Sequence, residues 1–279
     1  MEFVDFRLLR KSKNIDILFP EWQEGETVAF LSPHDDDVLL GAGYLLKATV
    51  ENNGNPLLLI FCSGDAGYSF PEEKDIITQR RRQEAIQAYG ILGVKEENIH
   101  NFDIPDFSLM PHINRNLHQE KGLFEEQVRI FREQKVSRVV FSSGFFEHWD
   151  HTAVFNMGIY TSPHAGDPVL ADIGEPFAAK SHYIYSVWGD FEPIQPGDSG
   201  IRADKGTLAD DETEEEIQRS IRCFESQRKI FKNIVEYREK RKSDSGYLEL
   251  YQTAEIRPQT DFKPYFKLLG KCDTPDKDE

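Results

Sequence analysis

The sequence predicts an α/β fold: a mostly parallel sheet with helices on both faces. Two observations carry this. Apolar runs bounded by turn residues alternate with helix-like stretches, a β-α-β-α order that implies parallel strands covered on both sides. The 279 residues, 39% of them hydrophobic, suffice for a real core, and neither an internal repeat nor a clear linker divides them. One domain over 1–279 is therefore expected, with its motif-bearing core at about 27–160 and a helical C-terminal part at about 209–279.

In chain order, strands are predicted at 27–31, where Val28-Ala29-Phe30-Leu31 is wholly apolar, at 57–62 (LLLIFC), 98–102, 136–142 (VSRVVFS) and 182–187 (HYIYSV). Helices are predicted between them at 39–48, 76–90, 122–134 and 151–160. The final helix signal covers 212–240, where Ile217, Ile221, Phe224, Ile230, Ile234 and Tyr237 fall near helical spacing on a charged background. Two loops, 161–181 and 189–208, carry Pro and Gly, the second as EPIQPGDSG. Loops of this length are binding elements, lids or disordered ornament, and the sequence does not choose between these.

A formal charge of −16, from 33 basic and 49 acidic residues, argues against nucleic acid or an anionic membrane surface as partner, since either would repel the chain at long range. Much of that charge sits in ADDETEEE (209–216) and the tail DTPDKDE (273–279), runs that read as solvated surface. No run approaches the roughly 20 apolar residues that span a bilayer, and MEFVDFRLLRKSKN lacks an apolar core of signal-peptide length. A cytoplasmic protein without an integral membrane segment is expected. Cys62, Cys223 and Cys272 are far apart and outside any CxxC arrangement, which suits a reducing compartment and offers no thiolate metal site. With no heptads or other assembly signature, a homo-oligomer is left open.

Ligands of an open parallel sheet sit beyond the carboxyl ends of its strands. That rule singles out the loops after the first, second and fourth strands: His34 to Asp37, Ser63-Gly64-Asp65-Ala66-Gly67, and GFFEHWDH (144–151). The first crowds Asp35, Asp36 and Asp37 beside His34. Like charges in a small volume repel unless a cation holds them, and a divalent metal binds carboxylates and imidazole together. His34 and Asp37 are three apart, so a turn leading into a helix aims both at one point; helix caps and solvated turns are the plainer use of such aspartates. HWDH (148–151) is a second His-rich turn between an apolar strand and an apolar helix, facing the first on the predicted sheet. His148 and His151 are again three apart, and Asp150 is placed to orient an imidazole. Mixed His and carboxylate ligation favours zinc over magnesium or calcium, and three protein ligands leave a coordination position open for catalysis.

SPHDDD (32–37) with LLGAGYLL (39–46), CSGDAG (62–67), RRRQEAIQAYGILGV (80–94), IPD (104–106) and HWDH resemble, in order and spacing, the successive motifs of the LmbE-like, or PIG-L-type, N-acetylglucosaminyl de-N-acetylases. ESQ (225–227) and YQTAE (251–255) resemble the family's C-terminal signature. The resemblance implies a Rossmann-like fold, bound Zn2+, and removal of acetyl from N-acetylated sugars or sugar conjugates. By position it makes His34, Asp37 and His151 the zinc ligands, Asp36 the general base, and His148, beside Asp150, the group that steadies the oxyanion or protonates the amine. It matches Arg81 and Asp106 to positions that reach sugar hydroxyls, although the residues alone also suit a solvated helix face for Arg81 and a turn-holding role for Asp106. Asp65 and Trp188 are further candidates, Trp188 as an aromatic that stacks on a sugar or lies in the core. Asp35, Val38 and Trp149 stand where the family usually has Pro, Glu and Pro. None of these departures removes a ligand, but Asp35 leaves open which aspartate is the base.

The expected activity is therefore zinc-dependent hydrolysis of a small-molecule N-acetyl sugar conjugate of the N-acetylglucosamine type. Two alternatives stand beside it. One is a catalytically silent sugar-binding protein on the same fold. The other is a metal-dependent phosphoesterase, which asks for two metals or phosphate-binding bases; the sequence offers only the run Arg80 to Arg82 and no P-loop.

Overall fold

The computed structural model describes residues 1–117, 120–188, 191 and 202–272. The predicted loop stretch EPIQPGDSG (192–200), the acidic tail 273–279 and the side chains of Ile234 and Tyr237 lie outside the described residues. Two short strands, β1 (Glu2–Asp5) and β2 (Arg10–Ser12), precede β3 (Thr27–Ser32), α1 (Asp37–Glu51), β4 (Asn55–Cys62), α2 (Ile77–Ile91), β5 (Ile99–Ile104) and α3 (Leu109–His112). The small pair β6 (Asn116–Leu117) and β7 (Glu120–Lys121) leads to α4 (Leu123–Glu133), β8 (Val136–Ser142) and α5 (Trp149–Asn156). Then come β9 (Ser181–Tyr185), β10 (Lys205–Ala209), α6 (Asp211–Ile221), α7 (Arg228–Arg238), β11 (Lys242–Ser243), β12 (Gly246–Thr253) and α8 (Lys263–Leu269).

One ten-stranded sheet runs β2-β1-β10-β12-β9-β8-β3-β4-β5, with β11 on β12. Its central strands β9, β8, β3, β4 and β5 are parallel, as predicted. From β9 outward, β12, β10, β1 and β2 pair antiparallel. Because β4 and β5 lie on one side of β3 while β8 and β9 lie on the other, the winding reverses between β3 and β8. A sheet that reverses there opens a crevice at the carboxyl ends of those two strands.

Helices cover both faces. Val28 and Phe30 of β3 pack with Tyr44 of α1, Ala88 of α2 and Ile217 of α6, while Ala29 and Leu31 pack with Phe131 of α4 and Ala153 and Val154 of α5. Every residue of β3 and β8 is buried. Each large apolar side chain so removed from water contributes roughly 1.5–3 kcal/mol, which anchors the ends of these strands and hence the turns that follow them.

Several sequence expectations change. The helix expected over 212–240 is two helices, α6 and α7, with a 3-10 turn at Glu225–Gln227 between them. Ser226 donates its N–H and Oγ to Glu84 of α2 at 3.0 and 2.6 Å, and Gln227 Nε2 donates to the Gly67 carbonyl at 2.7 Å; these long-range bonds break the helix where apolar spacing alone would continue it. The segment after α5 forms a π turn (Met157–Thr161) and 3-10 turns (Ser162–Gly166, Ala171–Ile173). It is wrapped around Arg132, whose guanidinium donates to the carbonyls of His164, Ala165, Asp167, Val169, Leu170 and Gly174. Part of the expected loop 189–208 is strand β10, and the C-terminal part expected to be helical contains β12. No helix among the described residues is long and apolar enough to cross a membrane.

Candidate functional site

Both His/Asp turns open into the crevice between β3 and β8. β3 ends at Ser32 and α1 starts at Asp37, so His34, Asp35 and Asp36 occupy a tight strand-to-helix turn. Asp37 closes it, its Oδ2 accepting the His34 N–H at 2.8 Å. Asp36 holds the position before the helix, yet its side chain caps no backbone N–H, so helix capping does not account for the aspartate run. Across the crevice α5 starts just after His148, whose Nδ1 accepts the Asp150 N–H at 3.2 Å.

His34 Nδ1 lies 3.1 Å from Asp37 Oδ2, and His151 Nε2 lies 3.2 Å from the same oxygen. One donor atom from each of the three lies within 4.8 Å of the others. Two imidazoles and a carboxylate so converged are a donor set that suits zinc. His34 meets the same spacing with His148 and Asp150, and with Cys62 and Asp106. Those carboxylates already accept backbone N–H groups: Asp150 from Phe107 (2.7 Å) and Leu109 (3.2 Å), Asp106 from Gly64 (2.8 Å) and Ala66 (3.1 Å). Burial pushes the Cys62 thiol up, which keeps it protonated.

Arg81 reaches the site from α2 and is 4% exposed, which excludes a solvated helix face. Its Nε lies 3.0 and 3.1 Å from the two Asp35 oxygens, and its Nη2 contacts Asp35 and stands 3.2 Å from Asp36 Oδ2. The guanidinium is thus the counter-charge of the aspartate pair. Gly64, with φ +72°, lets it pass, because a Cβ there would stand 2.8 Å from Arg81 Nε. Asp106 holds the same glycine turn through its two backbone bonds, and Asp65 Oδ1 in turn accepts the Asp106 N–H at 2.8 Å.

Burial pushes the Asp36 carboxyl up to about 7, with Asp37 and Asp35 adding to the rise and Arg81 opposing it. Burial would also raise Asp37, but the imidazoles of His151 and His34 outweigh it and hold that carboxyl well below the usual range. His151, although burial opposes this, is raised to about 9 by Asp37 and Glu147. Adjacent carboxylates pushed in opposite directions suit two different tasks, proton exchange and ligation.

Asp150 faces His148 and His34, its Oδ2 3.3 Å from His148 Nδ1 and 3.5 Å from His34 Nε2. The carboxylate against His151 is instead Glu147, a residue to which the sequence reading assigned no role. Glu147 Oε2 lies 2.6 Å from His151 Nδ1. The available signal was its four-residue spacing from His151 on the turn entering α5. Gln227, Phe107, Ile230 and Phe231 were missed as well; with Trp188, Arg81, Asp106 and the His/Asp groups they line a cavity of about 250 Å3. Phe107 packs on His148 with ring centroids 4.2 Å apart. A larger hollow, about 860 Å3, lies by Arg138, Ser181 and Arg257, away from these groups. Charges on its lining are paired, as in Lys205 with Asp5 and Arg257 with Asp167.

Residues 29–161 match the family described as PIG-L, GlcNAc-PI de-N-acetylase. No curated protein sequence matches the chain. Among solved structures, N,N'-diacetylchitobiose deacetylase from Pyrococcus horikoshii with a bound inhibitor is 17% identical, with a TM-score of 0.66 over 86% of this chain and 89% of that one. The 4-carboxy-2-hydroxymuconate hydratase from Pseudomonas putida KT2440 is 19% identical, with a TM-score of 0.63 over 85% and 99%. The zinc-inhibited form of teicoplanin deacetylase is 17% identical, with a TM-score of 0.53 over 82% and 99%. Likeness at these identities establishes the shared fold.

Proposed function

We propose that the protein is a zinc-dependent hydrolase that removes acetyl from an N-acetylated sugar or sugar conjugate of the N-acetylglucosamine type, releasing acetate and a free amine. The observation behind this reading is the convergence of His34, Asp37 and His151, with Asp36 and His148 on the same cavity. His34, Asp37 and His151 would hold the metal, which when bound activates water at neutral pH and draws charge from the acetyl oxygen. Asp36, on the cavity beside Asp37, takes the proton of the attacking water. Arg81 holds Asp36 in place through Nη2 and occupies Asp35 with the rest of its guanidinium.

His148 steadies the oxyanion and gives a proton to the departing nitrogen. Asp150 Oδ2, 3.3 Å from His148 Nδ1, is placed to orient this ring. Phe107 and Trp188 offer aromatic faces to the sugar. Gln227, Ile230 and Phe231 reach the pocket from beyond residue 220, which supports the whole chain as one working domain.

Acetate release from a panel of N-acetylglucosaminides, measured beside bound zinc, tests the reading. Asp36→Ala is expected to keep the metal and lower turnover on the order of a hundredfold or more. Loss of activity in Asp35→Ala alone would move the base to Asp35. The hydratase on the same fold supports one other reading, addition of water to a small unsaturated acid, and acetate release separates the two because hydration liberates no acid.

A further inference from the structure

Glu147 sits in the β8–α5 connection with its side chain only 1% exposed. A carboxylate removed from water this far is costly unless its oxygens are bonded. The two oxygens divide their partners. Oε1 accepts from Ser186 Oγ at 2.7 Å, Val187 N–H at 2.8 Å and Trp188 N–H at 3.1 Å, while Oε2 faces His151 Nδ1 at 2.6 Å. One carboxylate therefore joins an imidazole of the metal site to the segment that carries Trp188, a wall of the pocket.

A neutral imidazole has one ring proton, and an ionised carboxylate can only accept. Oε2 therefore places that proton on Nδ1. Nε2, which stands 3.2 Å from Asp37 Oδ2, keeps its lone pair directed at the site a cation would fill. Resting on the metal-hydrolase reading above, we propose that Glu147 is a positioning residue that selects the metal-binding tautomer of His151 and, through the same carboxylate, sets the pocket wall at Trp188.

Glu147→Gln is the discriminating variant, since it keeps the side chain's shape. Three donors converge on Oε1, so the amide oxygen must take that place and the amide NH2 must turn to His151. An NH2 donates; His151 Nδ1 then has to accept, the ring proton moves to Nε2, and the lone pair for the metal is lost. Zinc affinity is expected to fall 10- to 100-fold, with the melting temperature little changed. The tautomer is read independently from ring 15N shifts of zinc-free protein at a pH where His151 is neutral: Nδ1–H in the wild type, Nε2–H in Glu147→Gln. Glu147→Ala, which also releases the Ser186–Trp188 segment, is expected to raise KM at saturating zinc, whereas Glu147→Gln leaves KM near the wild-type value.

Wild-type zinc affinity in Glu147→Gln, or Nε2–H in the wild type itself, would overturn the tautomer role; an unchanged KM in Glu147→Ala would overturn the link to the wall. Zinc affinity and ring shifts need no substrate. A protein with the expected tautomer and zinc binding but no acetate release would sink the deacetylase reading and leave this one standing.

Discussion

Replacing Arg81 with methionine probes how the aspartate run is held together. Arg81 is 4% exposed, and the side chains of its partners Asp35 and Asp36 are 8% and 10% exposed. Methionine keeps much of the volume and removes the charge, leaving two buried carboxylates beside a third. Deleting one partner of a buried ion pair costs about 3–5 kcal/mol. With two partners orphaned, about 4 kcal/mol or more is expected at pH 8, where protonation gives least relief. Asp36 stands at about 7 even with Arg81 present, so in the variant this carboxyl takes up a proton near neutrality. The unfolded chain releases that proton, its aspartates ionising near 3.9, so the folded state binds more protons and gains stability as pH falls. The gain is about 1.4 kcal/mol per pH unit for each such proton, and because wild-type Asp36 takes up the same proton below about 7, the deficit closes between pH 8 and 7. Urea unfolding of EDTA-treated protein between pH 8 and 6 measures this directly, with wild type and the double variant Arg81→Met, Asp35→Asn alongside. The double variant should recover part of the loss. A single variant within 1 kcal/mol of wild type at pH 8, or a deficit that does not shrink in acid, would refute the counter-charge role.

Two further outcomes follow from the packing and charge of the scaffold. Burial would raise the Glu26 carboxyl, but bonds from Arg138, Lys180 and Ser137 outweigh it and hold the group down to about 2 from its ordinary 4.5. The stability it contributes is present above 4.5 and lost as pH falls toward 2, so melting temperature should drop more steeply across that interval in the wild type than in Glu26→Gln. A Cβ at Gly158 would run into the Phe141 ring, which is fully buried. Gly158→Ala should therefore lower the urea midpoint by the equivalent of about 1–3 kcal/mol without changing the slope.

The central strands were legible because their cause is local. The runs at 27–31, 57–62 and 136–142 are apolar enough to be buried on both faces, and the observed strands β3, β4 and β8 agree with them to within two residues at each end. The two His/Asp turns were legible for the same reason: three-residue spacing after a strand aims side chains one way whatever else the fold does. By contrast, β10 and β12 are partly polar, and each is a strand because the other, or β1 or β9, presents a free edge to it. Apolar spacing likewise ran 212–240 together, since the bonds from Ser226 to Glu84 and from Gln227 to Gly67 that break it reach across more than a hundred residues.

Sequence alone determined which strands form the sheet's parallel centre and which His/Asp turns open at its carboxyl edge, because both follow from residues within a few positions of one another. Only the tertiary structure decided that Arg81 is spent on Asp35 and Asp36, that Glu147 and not Asp150 backs His151, and that Phe107, Gln227 and Phe231 wall the pocket. A buried charge takes whichever partner the packing of distant segments places within 3 Å of it, and that proximity is a property of the folded sheet and its helices that no local pattern encodes.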